Sequence, residues 1–326
     1  MKLLKSLRLA AFAFSGSFIL LTAPAVSAAN VKITPLGSHE NEFCKFDRAM
    51  IFEDPDGTRI LYDAGMTVAG ANDPRLGKID VILVSHMHAD HVGARHMKTI
   101  NAGDCGKPDI SITDTPNTNS INIALAKKAK IITGSEMPKF FANKLEALGG
   151  NAADAQLVRF GASRKVAGVT ITTVPAAHSN GISGAMIAGE LGDMLEAAGL
   201  TAYAGPPTGY VLIFSNGLVV YLSGDTGITA EQDTVVRQHY GAKLAVINIG
   251  DTFTTGPKEA AYVINELIRP VSVIPSHANE ASTKGGKVIA NSRTDSFIKS
   301  SQVPVYLPLS GRSMEFDGSG KCISGC

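Results

Sequence analysis

Six consecutive residues constrain this chain more than any other feature. The run His86-Met87-His88-Ala89-Asp90-His91 places three imidazoles and a carboxylate in one short segment, directly after an apolar run at 80–84 that predicts a buried strand. Imidazole and carboxylate together suit zinc, iron or manganese. In extended backbone His86 and His88 point to the same side, so both can hold one ion. A bend after them would let Asp90 and His91 face a second ion.

The rest of the sequence is typical of one globular domain. Its 326 residues are 44% hydrophobic and 18% charged, enough to bury a large core. The formal net charge is +1 and no long basic run occurs, which argues against a nucleic-acid partner. No linker or repeat divides the chain. We therefore expect one domain over 30–320, followed by a cysteine-containing tail at 321–326.

Strand and helix patterns alternate along this domain. Because strand meanders are interleaved with helices, we expect an α/β (α+β) fold with two sheets and helices on their outer faces. The predicted strands lie at 31–36, 49–53, 58–62, 80–84, 156–160, 169–174, 210–214, 218–222, 244–249, 271–274 and 303–307. The predicted helices lie at 120–130, 138–148, 229–240, 257–268 and 293–300.

The segment from Gly181 to Pro207 interrupts the strands and begins three residues after His178. Its middle has apolar residues at mostly helical spacing, and six glycines make it a poor rigid helix. We expect it to form a lid that contacts an apolar part of the substrate. The alternative is that its apolar face packs on the core. The residues of this face are Met186, Ile187, Leu191, Met194, Leu195 and Leu200.

The first 28 residues have the three-part layout of a secretory signal. A basic start precedes an apolar run at 9–21, and small residues follow at 26–28. The run is shorter than the roughly 20 residues that a spanning helix needs, so we expect no membrane anchor after processing. The mature chain should begin near Ala29 or Asn30. We expect it in the periplasm or outside the cell.

Export permits disulfides. The four cysteines are Cys44, Cys105, Cys322 and Cys326, and they allow three pairings that sequence cannot separate. The last two lie close together in a tail rich in glycine and serine, so a local bridge is plausible. That bridge would leave Cys44 to pair with Cys105. Metal binding by cysteine is the weaker alternative.

The histidine run resembles the HxHxDH signature of the metallo-β-lactamase superfamily, which implies a four-layer αββα sandwich. Three later residues resemble further ligands of that family: His178 after Val174-Pro175, Asp225 in Ser223-Gly224-Asp225-Thr226, and His277 after Ile274-Pro275. In this resemblance Asp225 bridges two ions. Asp63 matches an aspartate that supports the histidine run from outside the ligand set. His39, His96 and His239 match no ligand position, and we expect them at the surface.

The resemblance implies a hydrolase with seven ligands: His86, His88, His178, Asp90, His91, Asp225 and His277. Two divalent ions, zinc as the first choice and iron or manganese as the alternatives, would hold a water between them and lower its pKa, giving a bridging hydroxide as the nucleophile. Asp90 and Asp225 are the candidate catalytic residues. A glutamate replaces the second histidine in oxygen-reducing members of the superfamily, so His88 favours hydrolysis. The expected substrate is a small molecule with an ester, lactone or phosphodiester-type bond.

Two alternatives remain open from the sequence. One is a mononuclear iron enzyme like the persulfide dioxygenases, which keep the HxHxDH run but use fewer ligands. The other is a non-catalytic periplasmic zinc-binding protein. The segment from Gly250 to Ala261 resembles small uncharacterised metal-dependent hydrolases related to ascorbate-phosphate lactonase. This last likeness favours the hydrolase.

Overall fold

The structure is a computed structural model that describes residues 29–326, and the expected signal sequence at 1–28 lies outside them. An eight-stranded sheet forms one half of the described part. From edge to edge its strands are β10 (Ala155–Leu157), β9 (Lys130–Thr133), β4 (Val81–Leu83), β3 (Arg59–Tyr62), β2 (Met50–Glu53), β1 (Val31–Pro35), β21 (Met314–Phe316) and β22 (Cys322–Ser324). The run from β3 to β10 is parallel, and the remaining pairs are antiparallel. Because β22 pairs with β21, the tail at 321–326 is continuous with this sheet.

A six-stranded sheet forms the other half. In spatial order its strands are β11 (Ser163–Val166), β12 (Val169–Pro175), β15 (Thr208–Ile213), β16 (Val219–Leu222), β17 (Leu244–Asn248) and β18 (Ser272–Ser276). The last three are parallel to one another. Every residue of β17 is buried, as expected of a parallel strand covered on both faces.

Short ribbons and helices complete the chain. The ribbons pair β5 (Arg95–His96) with β8 (Ile112–Thr113), β6 (Gly103–Asp104) with β7 (Lys107–Pro108), β13 (Gly181–Ser183) with β14 (Thr201–Tyr203), and β19 (Thr283–Lys284) with β20 (Lys287–Val288). The α-helices are α1 (Ala89–Val92), α2 (Asn119–Lys127), α3 (Met137–Ala147), α4 (Glu190–Ala198), α5 (Pro257–Tyr262) and α6 (Arg293–Ser300). Ala152–Asp154 and Gly184–Met186 form 3-10 turns, while Gln232–Arg237 and Val263–Ile268 form wider π-helical turns.

Three apolar clusters show how these elements stack. The first fills the space between the sheets, where Phe52 from β2 and Leu212 from β15 are both buried. The second covers the outer face of the larger sheet with α2 and α3, and it includes Phe141. The third packs α5 and α6, with Phe297, on the smaller sheet. The predicted four-layer αββα sandwich is confirmed.

The ends of the helices follow from local chemistry. The side chain of Thr118 accepts a hydrogen bond from the Ile121 N–H at the start of α2, and Ser292 does the same for α6. Pro257 occupies the first turn of α5, where its missing N–H costs no helical bond. Both cysteine pairings that we expected are present, Cys44–Cys105 and Cys322–Cys326. Within 29–326, no helix combines the length and apolar character that crossing a bilayer requires.

The sequence missed four strands of the two large sheets, β9, β11, β21 and β22, and all the strands of the short ribbons, and it predicted one strand that does not form. The segment 303–307 makes only an isolated bridge between Val305 and Val273. Pro304 has no N–H to donate, which interrupts a regular ladder there. The helix predicted at 229–240 is realised as a short π-helical turn, and the one at 257–268 changes from α5 to a π-helical turn at Val263.

Candidate metal centre

The loops that leave four strands meet at one edge of the sandwich. The histidine run follows β4, and α1 supplies the bend that the sequence predicted after His88. His178 follows β12, Asp225 follows β16, and His277 follows β18 directly. The fold thus brings together all seven residues for which a ligand role was predicted.

Their donor atoms form three overlapping groups, and within each group all atoms lie within 4.8 Å of one another. The groups are His86, His88 and His178; His86, His91 and Asp225; and Asp90, His91 and His277. The first and third share no residue. They therefore offer two separate places for a cation, and the middle group lies between them.

Asp225 is the carboxylate between the two places. Its Oδ1 lies 3.3 Å from His91 Nε2. Its Oδ2 lies 3.0 Å from His277 Nε2, 3.8 Å from His178 Nε2 and 3.9 Å from His86 Nε2. One buried carboxyl group thus reaches histidines of both outer groups, as a bridging ligand must.

The distances between these donor atoms, and the lack of hydrogen-bond partners for some of them, fit a bound cation. Two donors at about 2.1 Å from a tetrahedral ion lie about 3.4 Å apart. Asp90 Oδ2 is 3.5 Å from His277 Nε2 and 3.6 Å from His91 Nε2. Three buried atoms, His86 Nε2, His91 Nε2 and Asp225 Oδ1, have no hydrogen-bond partner. Buried polar atoms are rarely unpartnered, and bound metal ions would satisfy all three.

The electrostatics favour the ligand forms of most of these groups. Burial opposes ionisation of Asp225, yet His91 and His277 hold the pKa of its carboxyl well below the usual value. Burial lowers the pKa of His86 well below its usual value, which keeps the imidazole neutral. His91 differs: although burial lowers its pKa, the carboxylates of Asp225, Asp90 and Asp63 raise it to about 10. A cation must therefore replace a proton at His91.

Asp63 holds the histidine run in place. Its Oδ1 accepts from the Ser85 N–H at 2.8 Å, and its Oδ2 accepts from Ser85 Oγ at 2.8 Å. The same Oδ2 lies 2.7 Å from His91 Nδ1, which leaves Nε2 directed to the centre. The φ of Asp63 is 42°, an uncommon conformation that clusters at functional sites. Gly65 lets the two loops touch, because a Cβ there would lie 1.9 Å from the Asp90 carbonyl oxygen.

The sequence missed Asn248, the last residue of β17, which supports the Asp225 turn. Its Oδ1 accepts from Ser223 Oγ at 3.0 Å and from the Thr226 N–H at 3.2 Å. Its Nδ2 donates to the Thr226 carbonyl at 3.1 Å and to Thr255 Oγ1 at 2.7 Å. An amide that ends a buried strand, at the same edge as the predicted ligands, was the available signal.

The sequence also missed Arg48, which precedes β2 and is 4% exposed. Its Nη2 lies 2.8 Å from Asp90 Oδ2, 2.7 Å from His277 Nε2 and 3.0 Å from Asn279 Oδ1. Although burial opposes ionisation of Asp90, the Arg48 guanidinium holds the pKa of that carboxyl well below its usual value. No sequence motif marks Arg48, since its contacts come from distant segments.

Among the three histidines that matched no ligand position, His96 corrects our expectation. It is 7% exposed rather than at the surface, and its Nε2 lies 3.3 Å from Asp114 Oδ2. Its Nδ1 also lies 2.7 Å from the Met97 carbonyl. A carboxylate and a carbonyl thus lie beside the two ring nitrogens of this buried histidine, which belongs to none of the three candidate metal groups.

A cavity of about 700 Å³ opens over the centre. Its floor includes His88, Asp90, His178, Asp225 and His277. Its walls carry the cations Lys45, Arg48 and Arg293 and the aromatic rings of Phe46 and Phe253. Small-molecule sites have this size and this mixture of apolar wall and few convergent polar groups.

None of the residues at 181–207 lines this cavity. The segment contains β13, a 3-10 turn, α4 and β14, and it lies on the other side of His88. There Gly181, Ser183, Met186 and Thr201 line a smaller cavity of about 270 Å³. Met186 is buried in the core as the alternative expected, while Leu191 and Met194 are 60% and 61% exposed.

Comparison with known proteins agrees with the fold and the candidate metal centre. Residues 58–278 match the family model described as the beta-lactamase superfamily domain. The chain belongs to this superfamily. A UPF0173 metal-dependent hydrolase of Cupriavidus necator is 32% identical over 234 residues, which cover 68% of each chain. Another from Polynucleobacter asymbioticus is 27% identical over 271 residues, 80% of this chain and 81% of the relative.

A solved structure supports the fold. Igni18, a metallo hydrolase from Ignicoccus hospitalis, aligns with a TM-score of 0.56 at 20% identity and covers 88% of this chain and 99% of its own. At this identity the solved structure supports only the fold. The more similar sequence relatives support the activity. Together with the family match, they identify the chain as a metal-dependent hydrolase with His and Asp groups arranged to bind metal.

Proposed function

We propose that this chain is an exported hydrolase that places divalent ions, zinc above all, between the seven predicted ligands and cleaves an ester, lactone or phosphodiester-type bond. The observation that carries the proposal is the position of Asp225, whose two oxygens reach histidines of both outer groups. When bound, the ions would activate water and polarise the bond under attack.

The seven predicted ligands would bind two ions. His86, His88 and His178 would hold one ion, and Asp90, His91 and His277 the other, with Asp225 shared. Asp225 is 3% exposed and each of its oxygens lies close to a histidine, which favours the role of a shared ligand. Asp90 lines the cavity, where the Arg48 guanidinium keeps its carboxyl group ionised, the form in which it would bind the second ion beside His277.

The side chains of the cavity walls indicate which class of substrate would bind. Lys45 and Arg293 offer positive charge, and Phe46 and Phe253 offer apolar surface close to the ligands. This combination suits a small molecule that carries an acidic group and a modest apolar portion beside the bond to be cleaved. Phe253 belongs to the segment that resembles the lactonase-related hydrolases, and its side chain is 67% exposed at the cavity.

Export is part of the proposal because the N-terminal 28 residues have the layout of a signal. The disulfides Cys44–Cys105 and Cys322–Cys326 suit an oxidising compartment. Intact-mass measurement on protein from the native host should give a chain that begins near Ala29 with no free thiol. A chain that retains Met1, or four free thiols in envelope protein, would contradict export.

The test of the activity is a screen of the mature chain against four substrate classes: lactones, carboxylic esters, phosphodiesters and phosphonates. We expect turnover in at least one class, loss after chelation, and recovery when Zn²⁺ is restored. Metal content measured on the same sample separates the alternatives. One iron with oxygen uptake on a persulfide would indicate the dioxygenase, and exchangeable zinc without turnover would indicate a binding protein.

A further inference from the structure

The two outer groups of the metal centre differ in one respect. His86, His88 and His178 face no cationic side chain within hydrogen-bonding distance among the described residues. Arg48, in contrast, donates from one nitrogen to both Asp90 and His277, two members of the other group. The guanidinium is always protonated, so a positive charge already lies where that group would bind an ion.

An arginine and an ion cannot share His277. His277 Nε2 has at most one lone pair, and Arg48, which can only donate, would compete with an ion for it, because its Nη2 lies 2.7 Å from Nε2 and 2.8 Å from Asp90 Oδ2. An ion bound by Nε2 needs the same lone pair. Binding there must therefore break the contact with Arg48 and bring a second positive charge close to the first.

The loop that carries Arg48 is firmly held. Cys44 forms a disulfide with Cys105, and the Asp47 carboxylate accepts from the Ser38 N–H at 2.8 Å and the Cys44 N–H at 2.7 Å. The backbone of Arg48 is thereby fixed beside the centre. Its side chain is less well satisfied, because Nε is buried and has no partner.

The large cavity offers an alternative position for the Arg48 side chain. Arg48 lines the large cavity, and its guanidinium carbon lies 6.0 Å from the centre of the Phe46 ring. A rotation of the outer side chain towards that ring would free Asp90 and His277 without moving the backbone. The aromatic face of Phe46 would stabilise the displaced guanidinium through a cation–π contact.

We infer that Arg48 is a built-in competitor for the second ion, so that the centre loads in order. The first ion binds to His86, His88 and His178 with Asp225, and the second binds only by displacing the Arg48 guanidinium from Asp90 and His277. The inference rests on the proposed function, because it requires that this cluster binds metal. Arg48 thereby makes the state with one ion stable and the state with two ions dependent on metal concentration.

The experiment titrates the metal-free, disulfide-intact mature chain with Zn²⁺ against a chromophoric chelator, and with Co²⁺ followed by its absorption spectrum. For the wild type we expect one tight ion and one weaker ion. For Arg48→Ala we expect the second ion to bind at least about tenfold more tightly, the factor that one charge-assisted hydrogen bond corresponds to. The affinity of the first ion should stay within about twofold, since Arg48 is absent from its group.

Lys45→Ala is the matched control, because it removes the same charge from the same cavity without a contact to any ligand. It should leave the second ion unchanged, which separates competition at His277 from the general field of the cavity. Arg48→Gln serves if the alanine variant does not fold, and it should show the same gain. Circular dichroism checks the folding of each variant.

Two results would overturn the inference while the first ion still binds. In the first, the affinity of the second ion in both Arg48 variants equals that of the wild type. In the second, this affinity is lower than in the wild type, which would mean that Arg48 supports the site. Wild-type protein that binds no ion at all would instead overturn the proposed function, so the two failures are distinct.

Discussion

The metal centre and the segment at 181–207 are neighbours, since His178 and the segment both follow β12, but they are built in opposite ways. In the centre, buried polar side chains are fixed by other side chains and by backbone N–H groups, as in the contacts of Asp63 with Ser85 and His91. In the segment, apolar side chains such as Leu191 and Met194 face solvent. The metal centre thus has a fixed geometry, as metal binding requires, whereas the segment presents an accessible apolar surface.

Removing a ligand should have the largest effect of all. We expect His88→Ala to lower hydrolysis by at least about 10³-fold, because a catalytic ion contributes several kcal/mol and each 1.4 kcal/mol is a factor of ten. The measurement is turnover on the best substrate from the screen, with metal content on the same sample. His239→Ala, at a histidine outside the candidate groups, is the control. Near-normal turnover in His88→Ala would remove the centre from the mechanism.

Asp63→Ala should have the next largest effect. The carboxylate is not a ligand but orients His91 through its 2.7 Å contact, and the loss of such a partner weakens metal affinity by about 10–100-fold. Competition with a chelator measures this affinity. Asp63→Asn retains an oxygen that accepts from Ser85, so its loss should be smaller. If both variants bind metal as the wild type does, Asp63 only supports the fold.

The sequence predicted the centre better than its surroundings, for a physical reason. The seven ligands carry distinctive side chains and follow apolar strand runs, so their type and position are both readable. Asn248 and Arg48 carry no such mark, because their contacts, with Thr226 and with Asp90, exist only after distant segments meet. Local pattern also failed at β11, whose residues are mostly exposed and polar.

The segment at 181–207 shows the limit of composition as a guide. Its glycines suggested a moving element, yet Gly184 and Gly192 allow close packing. A Cβ at Gly184 would lie 2.3 Å from the Gly192 carbonyl oxygen, and one at Gly192 would lie 1.9 Å from the Ile187 carbonyl oxygen. These two glycines therefore fit α4 against the 3-10 turn. Only the folded contacts separate such a role from flexibility.

Asn180 joins the two regions and allows a third test. Its Oδ1 accepts from the Met87 N–H in the histidine run at 2.8 Å, and its Nδ2 donates to the Ala204 carbonyl at 3.4 Å. Asn180→Ala would leave the buried Met87 N–H unpaired, which costs about 1–3 kcal/mol. Denaturant unfolding should show this loss, while metal affinity should fall less than in Asp63→Ala. Unchanged stability would mean that the two regions are not coupled through Asn180.

The last prediction concerns the exposed face of α4 and has the smallest effect on stability. Because Met186 is buried while Leu191 and Met194 are exposed, replacing the whole segment would damage the core, and a surface change is the sharper test. The double variant Leu191→Ser, Met194→Ser should alter the free energy of unfolding by no more than about 0.5 kcal/mol per site.

Metal content should also remain unchanged in this double variant, because neither residue lies in the candidate groups. The expected lid role of the segment predicts that this face contributes to substrate choice, although Leu191 and Met194 line neither the large nor the smaller cavity. The measurement is the ratio of kcat/KM between a substrate with an apolar portion and its truncated analogue, which should fall in the double variant. Glu190→Gln, on the same helix, is the control. If the double variant keeps the wild-type ratio, the face has no part in recognition, and the segment serves packing through Met186 alone.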